Sequence, residues 1–220
     1  MRKLFLFLVV TVMLVLLCAC KTDVTVDLYV RDIIDAASGE TLVAYGTLKI
    51  EHPGEELDQT IVAIVKEGFP EATDFRIEKE GFDSYVVASI EVPVVNNVHA
   101  AMNDYPESMF SVVCGLIDRG QINLILVFSS KMFGKLNRAV YSEYFQELSV
   151  ENMTITVSLH NDLRYGVSFE LASVYANREP VPFSDVRSLV PRQDLDIRLS
   201  DVLRDFAYQN AWVSIGRMTW

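Results

Sequence analysis

Apolar residues along this chain recur either at every second position or at every third and fourth, and the two periods divide it into strands and helices. Val24, Val26 and Leu28 alternate with Thr25, Asp27 and Tyr29, which predicts a half-buried strand over residues 24–30. After a turn at Ser38-Gly39, Leu42, Ala44, Leu48 and Ile50 repeat the alternation and predict a hairpin partner that His52-Pro53-Gly54 ends. Leu57, Ile61, Ile64 and Val65 then share one helical face. Glu55 and Glu56 fall in the first turn, where the helix dipole favours carboxylates, and Gly68 stops the helix. Strands follow around residues 75–79 and 84–92, separated by Glu80-Gly81 and closed by Pro93.

Residues 96–106 lack periodicity and read as a loop, before two apolar runs at 109–117 and 121–128 that form a buried hairpin around Asp118-Arg119-Gly120. Ser129 or Ser130 caps a helix carrying Phe133, Leu136, Val140, Tyr144 and Leu148 on one side. Met153, Ile155, Val157 and Leu159 alternate, then Tyr165, Val167, Phe169 and Leu171 do the same, which predicts another hairpin across Asn161-Asp162. Residues 176–198, with Pro180, Pro182 and Pro191, read as an irregular surface connection. Ser200 caps a helix running to Asn210, with Val202, Leu203 and Phe206 as its apolar face, and residues 212–220 form a closing strand. The expected class is α+β: an antiparallel-rich sheet or sheets with two or three amphipathic helices, in the order ββαββ, ββαββ, αβ. Residues 24–95 and 108–220 could be two similar halves, although no residue-level repeat joins them, and one continuous sheet fits the same order.

The first twenty residues do not belong to this pattern. Arg2 and Lys3 precede an uncharged apolar run over residues 4–17, followed by small residues and a cysteine, the layout of an export signal. As a helix at ~1.5 Å per residue that run reaches only ~21 Å, short of the roughly 30 Å of membrane hydrocarbon. The stretch Leu17-Cys18-Ala19-Cys20 resembles the lipobox of bacterial lipoproteins. The resemblance implies cleavage between Ala19 and Cys20, removal of residues 1–19, and a mature domain over 20–220 whose Cys20 carries a thioether-linked glyceride. Each buried methylene of such chains contributes ~0.8 kcal/mol, so two or more acyl chains hold firmly. Lys21 at the next position implies, by the enterobacterial sorting pattern, the periplasmic face of an outer membrane where the host has one. Lys21-Thr22-Asp23 extends at most about 10 Å, which would keep the domain close against the bilayer.

Loss of Arg2 and Lys3 leaves 17 of the 19 basic residues against 30 acidic ones, a net charge of −13. So acidic a domain is repelled by nucleic-acid phosphates and anionic headgroups, leaving the lipid as its membrane attachment. Only Cys20 and Cys114 remain after cleavage, and lipidation consumes the first, so an intrachain disulfide is excluded and the core must supply the stability.

No GxGxxG, P-loop, GxSxG, HExxH, CxxC or EF-hand pattern is present, and neither a catalytic residue, a metal site nor a cofactor is expected. Cys114 lies in an apolar run and reads as a small packed hydrophobe. His52, His99 and His160 are dispersed, without metal-ligand spacing, and read as surface or hydrogen-bonding residues. Asp194, Asp196, Asp201 and Asp205 lack the glycine turn of a calcium loop, and with Asp23, Asp27, Asp32 and Asp35 read as solvated faces and caps. Tyr141, Tyr144, Phe145 and Trp212 read as packing residues, whereas Trp220 at the terminus is either tied into the sheet or available to a partner.

The segment from Cys20 to Gly39, with Arg31-Asp32-Ile33-Ile34-Asp35-Ala36-Ala37, also resembles small uncharacterised lipoproteins of phages and prophages, which implies a setting but no activity. The expected function is a non-enzymatic envelope lipoprotein that binds another envelope protein or serves a structural role. The competing expectation is an envelope hydrolase with a site assembled from dispersed Asp, Glu and His. An apolar patch rimmed by polar groups would favour the first, and titratable side chains converging in a deep pocket the second.

Overall fold

The computed structural model describes residues 20–54 and 56–220. The predicted export segment 1–19, with Ala19 at its cleavage site, and Glu55 of the predicted helical turn lie outside the described residues. Strand β1 (Cys20–Tyr29) begins at the cysteine itself, so Lys21-Thr22-Asp23 is strand rather than tether. At Val30 the burial period changes from two to three: Val30, Ile33 and Ala36 are all fully buried and form helix α1 (Val30–Ala37), which the strand reading had missed. Gly39, at φ +109°, turns the chain into β2 (Leu42–His52). β1 and β2 pair antiparallel as expected, but a helix joins them instead of a tight turn.

Helix α2 (Gln59–Gly68) is capped by Asp58, whose carboxylate accepts the Ile61 N–H at 2.9 Å, and buries Ile61, Ile64 and Val65. Leu57 lies outside the helix and is exposed. β3 (Thr73–Glu80) and β4 (Asp83–Val95) follow, and β4 runs straight through Pro93, which had been expected to end it. The supposed loop 96–106 contains α3 (Val98–Asn103), capped by Asn97. β5 (Phe110–Asp118) and β6 (Gln121–Phe128) form the expected hairpin. Ser129 caps α4 (Ser130–Tyr144), which ends at Phe145 in the left-handed region, φ +54°, so Leu148 opens β7 (Leu148–His160) rather than extending the helix.

The second half differs most from expectation. β7 does not pair with β8 (Val167–Leu171); it runs parallel to β1 and antiparallel to β12 (Asp194–Leu199). The region expected to be irregular holds β9 (Val174–Ala176), β10 (Glu179–Val181), β11 (Asp185–Leu189) and β12. Helix α5 (Asp201–Asn210) is capped by Ser200 and packs Leu203 of its expected face against the core, but turns Val202 and Phe206 outward. Val202 is 74% exposed and Phe206 46%, while Arg204 at 6% and Ala207 at 0% are buried. β13 (Trp212–Thr219) closes the chain.

All thirteen strands belong to one mostly antiparallel sheet with five helices among the described residues, in the path β10-β9-β12-β7-β1-β2-β4-β5-β6-β13-β8-β11, with β3 beside β4. The two ends of that path, β10 and β11, are consecutive in the chain and joined by residues 182–184 alone. A flat sheet of this width would hold its edges about 50 Å apart at ~4.8 Å per strand, whereas the link spans at most about 15 Å. The sheet therefore curls until its edges meet, and Arg187 of β11 reaches Glu179 of β10 at 3.4 Å. The result is nearly a barrel, filled by the inward residues of every strand, such as Val24, Val26 and Leu28 of β1 and Ile155, Val157 and Leu159 of β7. α1 packs on β4, β5 and β6, α2 on α4, and α5 on β13 and β7.

Candidate functional site

Among the described residues, the ladder on one side of β4 is interrupted. β2 pairs with β4 from Ser84 to Val94 on one side. On the other side β3 pairs as far as Ser89, opposite Thr73, and β5 begins at Val94, opposite Val112. Among the described residues, 90–93 have no ladder partner on that side, and Pro93 carries no N–H to satisfy there. A pocket of about 420 Å³ opens at this gap, and Ile90, Glu91, Val92 and Pro93 all line it. That volume falls within the roughly 300–1,000 Å³ of small-ligand sites.

The two walls are built alike. Phe69-Pro70-Glu71-Ala72 leads from α2 into β3, and Tyr105-Pro106-Glu107-Ser108 leads from α3 toward β5. In each, the N–H of the fourth residue donates to the carbonyl of the first, at 3.0 Å for Ala72 to Phe69 and 3.1 Å for Ser108 to Tyr105. Proline in second place presets the backbone for such a turn, and glutamate stands third. All eight residues line the pocket. Its floor is apolar, made by Phe69 and Phe110 (6.2 Å between centroids), and behind it Phe110 stacks on Phe128 (4.9 Å), which packs against Phe133 and Tyr208 (6.0 and 5.6 Å). Such pairs add ~0.5–1.5 kcal/mol each beyond burial, so the floor is rigid before anything binds. The charged residues of the lining are all acidic: Glu71, Glu91, Asp104 and Glu107, each exposed. Among the described residues no three His, Cys, Asp or Glu side chains gather as a metal ion requires, so these carboxylates are spread around the rim rather than focused on one point.

The family profile described as "Domain of unknown function (DUF7424)" matches residues 22–219, nearly the whole folded chain. The chain belongs to the DUF7424 family. No curated protein and no solved structure matches it. The DUF7424 match begins two residues after Cys20 and takes in β1 from Thr22 and every later strand through β13, so the pocket and both of its turns lie within it.

In this DUF7424 chain the residues singled out from sequence fall elsewhere. His160 ends β7, where Nδ1 lies 2.8 Å from Asp194 and Nε2 3.3 Å from Asp27, with Tyr29 packed on the ring at 5.2 Å. Burial opposes the charged ring, but the hydrogen bonds to Asp194 and Asp27 and their charges outweigh it and raise the pKa above 6.5. With both nitrogens within hydrogen-bond distance of a carboxylate, protonation of the ring is favoured, and its nitrogens face Asp194 and Asp27 rather than a nucleophile. His52 is buried edge-on to Tyr144 at 5.3 Å, and burial pushes its pKa down despite nearby Asp58. His99 is on the exposed surface of α3, beside Asn103.

Cys114 is wholly buried in β5, and burial, reinforced by Asp32, pushes its thiol far above the usual range, which keeps it protonated and unreactive. The acidic stretch is divided among partners: Asp194 goes to His160, Asp196 accepts from Ser158 at 2.7 Å, and Asp201 and Asp205 hold Arg204 at 2.9 Å each. Cys20 is buried, its thiol 3.2 Å from Gln146 Oε1, and its N–H donates to the Glu147 carbonyl. Trp220 donates its N–H to Gly120 at 3.2 Å while part of its ring stays exposed. Sequence reasoning missed the pocket altogether. The signal available was the repeated aromatic-Pro-Glu-small tetrad, each copy entering a strand.

Proposed function

We propose that this DUF7424 chain is an envelope lipoprotein, anchored through Cys20, whose domain binds another protein through the pocket beside β4 and performs no catalysis there. The observation that carries this reading is the pocket's chemistry: a rigid aromatic floor, a free strand edge and a rim of carboxylates, with no histidine, lysine or cysteine in the lining to pair with Ser108 or Tyr105. Carboxylates spread around a rim, with no histidine, lysine or cysteine beside the Ser108 and Tyr105 hydroxyls, suit recognition better than acyl or phosphoryl transfer. Anchoring rests on the Leu17-Cys18-Ala19-Cys20 lipobox. In β1 the register with β7 jumps between Cys20 and Thr22, where Cys20 pairs with Leu148 and Thr22 with Met153. The cysteine end can therefore leave the sheet for the bilayer, giving up its contact with Gln146, while the ladder from Thr22 onward stays intact. By resemblance, the periplasmic face of an outer membrane and a phage or prophage setting go with this reading.

The competing hydrolase reading draws on the cluster of His160 with Asp27 and Asp194. The two separate on one experiment. Palmitate labelling of wild type and Cys20→Ser, followed by crosslinking in the native envelope, is expected to give a labelled wild type with a stoichiometric partner and an unlabelled variant without one. Undiminished label in Cys20→Ser, or a purified domain that turns over ester or peptide substrates and loses that activity in His160→Asn, would overturn the proposal.

A further inference from the structure

Resting on the binding reading above, we infer that the pocket takes an extended segment of a partner protein that carries Lys or Arg beside an apolar residue. Residues 90–93 offer a strand edge four residues long, about 13 Å at ~3.3 Å per residue, and an added strand is the geometry that satisfies such an edge. β3 and β5 stop on either side of it, so the length of the added strand is set by the gap. Side chains of an extended segment alternate in direction, one set down and one set up. The downward position meets the Phe69 and Phe110 floor and takes an apolar group; the upward neighbours pass Glu71 on one wall and Glu107 on the other. Beside the slot, Tyr45 is paired with Glu91 across β2 and β4 and its ring is 65% exposed, a face for a guanidinium or ammonium group. No cation in the lining neutralises the four carboxylates, so a basic segment supplies what the site lacks and an acidic one is repelled.

The test uses fluorescein-labelled pentapeptides with Arg or Lys flanked by Val, Leu or Phe, the same set with Glu in place of the cation, and a backbone N-methylated version of the best binder. Anisotropy titrations on the folded domain should show saturable binding of the basic set that weakens with salt. The acidic and N-methylated peptides should not bind. Glu71 and Glu107 are exposed, so Glu71→Gln/Glu107→Gln should fold normally, and the loss of two screened charge contacts should weaken binding by about tenfold. Amide signals of Glu91 and Val92 should shift on titration. Equal binding of the acidic set, no saturable binding of any basic peptide, or an unchanged affinity in the double variant would overturn the inference. A photo-reactive group at Val43, on the pocket rim, separates the two levels. If it captures a partner while basic peptides fail, only the occupant's chemistry is wrong; if it captures nothing, the binding reading falls as well.

Discussion

Glu71 and Glu107 hold the same third place in two hydrogen-bonded Pro-Glu turns, one on each wall of a single pocket. Neither carboxylate has a cation in the lining, and like charges gathered on one rim repel. Their contribution to folding is thus zero or slightly unfavourable. Glu71→Gln/Glu107→Gln is expected to melt at the same temperature as wild type or to gain up to about 0.5 kcal/mol. A clear loss of stability in thermal denaturation would mean that the pair serves the fold.

The His160 cluster contributes a pH dependence opposite in sense to that of His52, whose pKa burial lowers. The His160 pKa is raised in the folded state, so its stabilising contribution is complete below about 6.5, the unfolded value, and is lost as pH rises through the higher folded value. The ring is partly exposed, which limits the effect to about 1 kcal/mol or less. Urea unfolding at about pH 5.5 and 8.5 should show wild type losing more stability across that interval than His160→Asn does. Parallel slopes would remove the cluster from the stability account.

Arg204 is the buried charge with most at stake. Its guanidinium donates to the Glu151 and Met153 carbonyls at 2.9 and 3.3 Å and to Asp201 and Asp205 at 2.9 Å, tying α5 to the irregular start of β7. Arg204→Ala leaves two strand carbonyls without their donor and is expected to cost about 3 kcal/mol. Arg204→Lys should recover less than half, because an ammonium cannot span the same fork. Chemical denaturation of the two variants checks both figures.

Gly46 tests the packing of β2 against its neighbours. A Cβ there would lie 2.4 Å from the Thr25 carbonyl oxygen and 3.3 Å from Ile90, and a backbone atom cannot yield as a side-chain end does. Gly46→Ala should destabilise by about 2–4 kcal/mol despite alanine's better fit to extended backbone. An unchanged melting point would show that β1 and β2 lie further apart than described.

Where one face of an element meets the core and its neighbours are close in sequence, the pattern of residues was enough. β1, β2, the β5–β6 hairpin and α4 follow from period and cap, and α2 from period alone, with its start at Gln59 beyond the Glu55-Glu56 turn expected, because Val24, Leu48, Leu136 and Ile61 each repeat on a buried face. β7 and β8 alternate just as clearly, yet alternation says nothing about partners, and β7 found β1 more than a hundred residues away. β9 to β12 are three to six residues long and set among prolines, too short for a period to declare itself. On α5 a charged residue took the inward face because two strand carbonyls and two carboxylates were there to receive it. The pocket left no periodic trace for a different reason: it consists of missing pairings at residues 90–93, and only the repeated tetrads of its two walls, Phe69–Ala72 and Tyr105–Ser108, marked it in the sequence.

The most direct measurement places one photo-reactive residue at Val43, on the pocket rim, or at Phe82, fully exposed at the β3–β4 turn, in the full chain expressed in its native cell. A discrete adduct from Val43, absent from Phe82 and lost when Glu71→Gln/Glu107→Gln is added, is the expected result. Equal adducts from both positions, or a Val43 adduct indifferent to the two glutamates, would contradict the assignment of binding to the slot beside β4.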